Sequence, residues 1–149
     1  MAETDCELWV NSDKGMLVGI ARAYKKFGGK KLVVLYPDKG EPWPKEHAKP
    51  YIKHCDELRK ELNWFWSNYN ITVLPDIVVC VGLSAGTLSE LGYIKWNYQL
   101  NVGKMRTLLA IKELLRGGKL PEEIEVDIKG MTTYLDKTKQ LKGFLRRFR

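Results

Sequence analysis

The stretch Val79–Tyr93, VCVGLSAGTLSELGY, sets two glycines, Gly82 and Gly86, and two hydroxyls, Ser84 and Thr87, directly after an apolar run. One carboxylate, Glu90, follows a turn later. A turn that leaves a strand and enters a helix points unpaired backbone N–H groups at the space before the helix, where the helix dipole adds partial positive charge. Such a place accepts an anion, a phosphoryl group above all. Gly82 and Gly86 allow close backbone approach, and Ser84 and Thr87 offer hydroxyl donors. Glu90 is a candidate catalytic or ribose-binding acid. The string is not a P-loop, because no Lys-Ser/Thr follows the second glycine, and it is not the dinucleotide G-x-G-x-x-G. The same letters also admit a purely structural reading: Thr87-Leu88-Ser89-Glu90 spells a capping box, in which Glu90 reaches back to the Thr87 N–H.

The elements that would position these residues are legible in the hydrophobic pattern. ELWV (Glu7–Val10) is a short strand followed by the turn NSDKG. Met16, Leu17, Ile20, Ala21 and Tyr24 recur at helical intervals, and Gly28-Gly29 ends that helix. KLVVLYP (Lys31–Pro37) and DIVVCVG (Asp76–Gly82) are apolar runs without polar alternation, the mark of strands buried on both faces of a parallel sheet. Between them we expect a loop over Gly40–Pro50 and one long helix from Tyr51 to Tyr69. A helix over Thr87–Tyr98, a strand within Met105–Leu114 with helix as the alternative, a short strand within Glu125–Leu135 and a basic helix from Asp136 complete the chain. Strand and helix in alternation predict an α/β fold with right-handed crossovers and helices on both faces of a parallel sheet of about five strands. Ligands in such folds sit outside the carboxyl ends of the strands, where NSDKG, YPDKG and GLSAG emerge. Asp38, directly after Pro37, is there a candidate acceptor for a ribose hydroxyl.

Composition bounds the function class. At 149 residues with 44% hydrophobic positions the chain is expected to form one folded domain. No window approaches a membrane span and the N-terminus MAETDCELWV lacks a basic, then apolar, leader pattern, so a cytoplasmic protein without membrane association is expected. Cys6, Cys55 and Cys80 show neither disulfide nor zinc spacing, so no metal or cofactor is expected. The formal charge of +7 favours anionic partners. Much of it lies in KTKQLKGFLRRFR, which reads first as an amphipathic helix with one docked face, and second as a nucleic-acid or lipid contact. His47 and His54 read as surface histidines. Trp64, Phe65, Trp66 and Tyr69 read as core or as an interface, which Trp96 and Tyr98 extend.

DIVVCVGLSAGTLSELGY resembles the signature region of the Lonely Guy-like (LOG-like, "lysine decarboxylase-like") Rossmann proteins, whose motif is PGGxGTxxE. Gly86, Thr87 and Glu90 match its GTxxE portion, and Gly82 to Ala85 occupy the glycine-rich positions before it. Upstream, GMLVGIARAYKKFGGKKLVVLYP is similar to the family's GLMGAVA…AGG…P segment through Gly15, Ala21, Gly28, Gly29 and Pro37. The two matches cover roughly half the chain. The resemblance implies a three-layer Rossmann-like domain and a homodimer. It also implies a nucleotide or other small phosphorylated ligand, held at Gly82, Ser84, Gly86 and Thr87 with Gly15 and Asn68 nearby. Glu90 would then serve cleavage of the N-glycosidic bond of a nucleoside 5′-monophosphate. The chain departs from the family in having Ser67 where an arginine precedes Asn68, and it begins near the family's second strand, as a divergent and shortened member. A non-enzymatic nucleotide sensor or carrier is therefore the alternative. GTLSELGY is also similar to nucleoside 2-deoxyribosyltransferases, in which the glutamate is a nucleophile. A basic nucleic-acid-binding protein is the reading from a third class.

Overall fold

The computed structural model describes residues 1–38 and 44–148. No helix among them is long and apolar enough to cross a membrane. The chain forms two compact units: residues 1–67 with the segment from Lys142 onward, and residues 68–141.

In the first unit the order is β1 (Glu7–Asn11), α1 (Met16–Lys26), β2 (Lys31–Pro37), α2 (Pro44–Ile52) and β3 (Glu57–Glu61). The three strands are parallel in the order β1-β2-β3, with Val10 beside Val34 and Val34 beside Leu58. Leu8 and Val10 of β1 and Leu32 and Val34 of β2 share a face and pack against Ala21 and Tyr24 of α1 and Tyr51 of α2. β2 is buried from Leu32 through Pro37, as its unalternated sequence predicts. Where the chain leaves α1, Tyr24 donates to the Cys6 carbonyl and accepts from the Lys31 N–H at 3.2 Å. Asp56 then ties three elements together: it pairs with Lys25 of α1 at 2.8 Å and accepts from the Leu32 N–H at 2.6 Å. Those contacts, the Lys25 ammonium first, hold its carboxyl below the usual aspartate range.

In the second unit the order is β4 (Ile77–Cys80), α4 (Ala85–Leu100), β5 (Thr107–Ile111), α5 (Glu122–Ile128) and β6 (Thr132–Leu135), again with three parallel strands in sequential order. Leu108 and Ala110 of β5 face Leu91 and Ile94 of α4 and Ile128 of α5 across an apolar core. The unit boundary falls inside α3 (Trp64–Val73), after Ser67, and α6 (Gln140–Arg147) is the C-terminal helix.

The α/β class and the parallel pairing agree with the sequence reading, but the strands lie in two sheets of three rather than in one of about five. The helix expected over Tyr51–Tyr69 is instead the end of α2, then β3, then the start of α3. β3, ELRKE, has a single aliphatic residue and pairs only with β2 among the described residues, so its outward side chains need not be apolar. The Arg59 guanidinium lies over the Trp9 ring at 5.7 Å and reaches the buried Glu61 at 3.0 Å, so this charged residue is held by a ring face and a carboxylate. The loop expected over Gly40–Pro50 lies outside the described residues as far as Trp43, and α2 begins at Pro44. Pro50 lies inside that helix, where its ring gives up the backbone bond an N–H would make to the carbonyl four residues back, and α2 ends two residues later. α5, in EEIEVDI, is a helix where only a strand is expected nearby; three glutamates in its first turn suit the positive end of its dipole.

Candidate functional site

The turn after β4 enters α4 earlier than the sequence reading places it. The N-cap is Ser84, in an extended conformation, and its Oγ accepts from the Thr87 N–H at 3.2 Å. The first intrahelical bond runs from the Leu88 N–H to the Ser84 carbonyl at 2.9 Å. The capping box on Thr87 and Glu90 is thus overturned: Thr87 is the third helical residue, and its amide is capped by Ser84. Ala85 and Gly86 carry first-turn amides that precede the intrahelical ladder. Ser84 Oγ and Thr87 Oγ1 lie 3.1 Å apart, so one hydroxyl hydrogen is used between them and the other can be given to a ligand.

The two glycines of this turn are explained neither by backbone strain nor by packing. Both have ordinary φ, a Cβ at Gly82 would meet nothing within 4 Å, and one at Gly86 would meet only Ser84 Oγ at 3.7 Å, an ordinary contact. Glycine near the start of a helix costs stability relative to alanine. Residues 84–86 are exposed, and Gly82, Leu83 and Thr87 are half-buried, so the turn is open to solvent.

Glu90 is half-buried one turn into α4. Asn68 of α3 donates from Nδ2 to Ser89 Oγ at 3.2 Å, which brings Asn68 beside the turn of helix that carries Glu90. Tyr69 and Tyr93 pack edge to face, 5.6 Å between ring centres, joining the same two helices. Beneath, the Cys80 Sγ donates to the Gly82 carbonyl at 3.3 Å. Burial raises the Cys80 thiol above its usual range, the Gly82 bond opposing and the Glu90 carboxylate adding to it, which favours the thiol over the thiolate. Of the expected site residues, Gly82, Ser84, Gly86, Thr87, Glu90 and Asn68 therefore belong to one locus of the second unit.

Gly15 and Asp38 belong to the first unit. Gly15 is the N-cap of α1 at φ 80° and has no side-chain cap. Asp38 is exposed, its N–H donates to the Glu61 carbonyl at 2.8 Å, and its carboxylate lies 3.5 Å from Lys60. Ser67, where the resemblance places an arginine, is fully buried and donates to Asn11 Oδ1 at 2.9 Å. That position serves the first unit's interior. Two polar residues of this unit are more enclosed than their sequence suggests. Ser12 is fully buried, and His47, read there as a surface residue, has a side chain only 16% exposed and packs edge-on to Trp64 at 5.7 Å. His54, read the same way, is exposed. A serine continuing the inward-facing register of a strand was the available signal for Ser12. Trp64 is half-buried, while Phe65 and Trp66 are 74% and 48% exposed, so the aromatic run does not fill a core. Among the described residues, no group of three or more His, Cys, Asp or Glu is arranged to hold a metal ion.

Compared with family models, with curated proteins and with solved structures, the chain gives no match.

Proposed function

We propose that the protein binds a nucleotide, or another small phosphorylated ligand, through the Gly82–Thr87 turn, as a divergent LOG-like protein of Rossmann-like fold. One observation carries this reading: two glycines without a left-handed φ, and with room for a Cβ at each, stand where a 16-residue helix presents its first amides to solvent. Their cost to the fold has a reason if a phosphoryl oxygen must come within hydrogen-bond distance of that backbone. The β-α-β-α-β order of each unit is that of a mononucleotide-binding half of a Rossmann-like fold, which supports the same reading.

Hydrolysis of an N-glycosidic bond is the second reading, favoured by the Asn68–Ser89 bond that sets the asparagine of the resemblance beside Glu90's turn of helix. Water would add to the anomeric carbon while the bond to the base breaks, the base leaving with the electron pair and taking up a proton. The Glu90 carboxylate would stabilise the oxocarbenium-like centre. Against it stands Ser67, a buried hydroxyl engaged with Asn11 in place of the guanidinium best suited to a phosphate or carboxylate. A carrier or sensor needs no such group.

Calorimetric titration with nucleoside 5′-monophosphates, followed by chromatography for free base, tests both readings. Binding that weakens in Gly86→Val supports the site. In Glu90→Gln, lost base release at kept affinity assigns an enzyme, and a change in affinity alone assigns a carrier. No binding of any nucleotide or simple phosphoester overturns the proposal. Exposed Phe65, Trp66 and Trp96 further support a homodimer, which sedimentation of the wild type against Trp96→Glu would reveal.

A further inference from the structure

Among the described residues, two buried polar atoms of the first unit have no hydrogen-bond partner: Ser12 Oγ, in a residue with no exposed surface, and His47 Nδ1. A buried hydroxyl left unpaired costs stability, so each such atom needs an explanation. Both lie around the turn from β1 to α1. Leu8 and Val10 face α1 and α2, and the Ser12 N–H continues the strand pairing by donating to the Leu35 carbonyl at 2.9 Å. The two-residue period of the strand therefore turns Ser12 to the α1 side. α1 runs back against β1 to reach the parallel strand β2, so it begins over the end of β1 where Ser12 sits. That beginning is open: Gly15 is the N-cap with no side-chain bond, the first turn holds no acid, and a Cβ at Gly15 would meet nothing within 4 Å. α2 closes the remaining side. The Tyr51 hydroxyl donates to the Asp13 carbonyl, and His47, one turn earlier on α2, holds Nδ1 3.6 Å from Asp13 Oδ1, too far for a hydrogen bond.

We propose that the turn Ser12–Met16 is a second oxyanion site, taking the phosphoryl group of a small ligand on the Ser12 hydroxyl, the His47 ring and the first amides of α1. These donors are prepaid in position: the serine is locked by the sheet, the imidazole by Trp64, and the amides by the helix. Lys14 extends from the same turn and is exposed. The acids nearby are already engaged, Asp13 Oδ1 accepting from the Lys14 N–H at 2.7 Å and Glu46 pairing with Lys49 at 2.5 Å. An oxyanion satisfies both orphaned atoms and the uncapped helix at once, whereas an ordered water leaves the helix end bare. The site is independent of the Gly82–Thr87 turn, and either can fail without the other.

The test is a titration of the full chain with inorganic phosphate, read by amide and imidazole NMR shifts and by thermal melting. Saturable shifts are expected at Lys14–Val18 and in the His47 ring, unaltered in Gly86→Val. Ser12→Ala should melt above wild type without phosphate, because it removes an unpaired buried hydroxyl, while its shifts at Lys14–Val18 weaken at least tenfold. His47→Gln should weaken them as well, and stands in if Ser12→Ala does not fold. A full phosphate response in both variants overturns the proposal whichever way their melting moves. Shifts that rise without saturation and spread over surface lysines and arginines overturn it too, as an adventitious ion only.

Discussion

Gly86→Ala should move stability and binding in opposite directions. Gly86 is the second residue of α4, with helical φ and only Ser84 Oγ, at 3.7 Å, near the place a Cβ would take. Nothing has to shift to admit the methyl group. Replacing glycine by alanine at a compatible helical position stabilises by about 0.5–1 kcal/mol, partly through the unfolded chain. For a chain of this size that raises the melting temperature by roughly 1–4 °C. The same methyl group projects from the first turn, where a phosphoryl oxygen bonded to the Ala85 and Gly86 amides would lie about 3 Å from nitrogen. Excluding that oxygen should weaken binding tenfold or more, about 1.4 kcal/mol. Differential scanning calorimetry and calorimetric titration with a nucleoside monophosphate read the two signs on one sample. A stabilised variant with unchanged affinity would refute the reasoning, since the glycine would then have no ligand to make room for. A destabilised variant would refute the claim that the space around it is empty.

Ser84→Ala removes the α4 N-cap and should cost about 1 kcal/mol in urea unfolding, with Ser84→Gly losing only a few tenths. Ile94→Ala empties a fully buried position between α4 and the second sheet and should cost about 2–5 kcal/mol, read from the same unfolding curves. Gly103→Ala combines a φ of 87° with a Cβ only 2.7 Å from the Val73 carbonyl and should destabilise by more than the 1–2 kcal/mol or so that the left-handed backbone alone costs. Asp56 has a depressed folded-state carboxyl, so its contribution is present above the unfolded aspartate value near pH 4 and is lost as pH falls through the lower folded value. Wild type should therefore lose stability below about pH 4 more steeply than Asp56→Asn, in melts followed across that range.

Where side chains repeat with a clear period, the sequence alone located the elements. β2 was readable to the residue because burial on both faces leaves no charged position after Lys31 in KLVVLYP. α1 was readable because one apolar stripe and a closing Gly28-Gly29 bound it. β3 was not, because its charged Glu57, Arg59 and Glu61 alternate with exposed Leu58 and Lys60, so no apolar face marks it and ELRKE has the composition of a helix. Its absence from the reading also merged α2 and α3 into one helix. At the candidate site, the glycine turn and Glu90 were legible as types and spacing, but the start of α4 was placed two residues late. Both Ser84 and Thr87 are capping residues, and only coordinates decide which one caps. The Asn68–Ser89 bond spans 21 residues and has no local signature. Ser12 and His47 were missed for a related reason: their lack of partners is a property of the packed turn, not of its letters.

The charged strand β3 also governs how the protein behaves when crowded. A sheet margin invites another extended segment to zip onto it, and a molecule meeting its own copies at high concentration would be the nearest source. Any such newcomer here would have to bring its chain alongside Glu57, Arg59 and Lys60 and strip their water. Fibril growth from this side is thereby discouraged before it starts, and uncharged aliphatic replacements at Lys60 are where clumping during expression should first emerge.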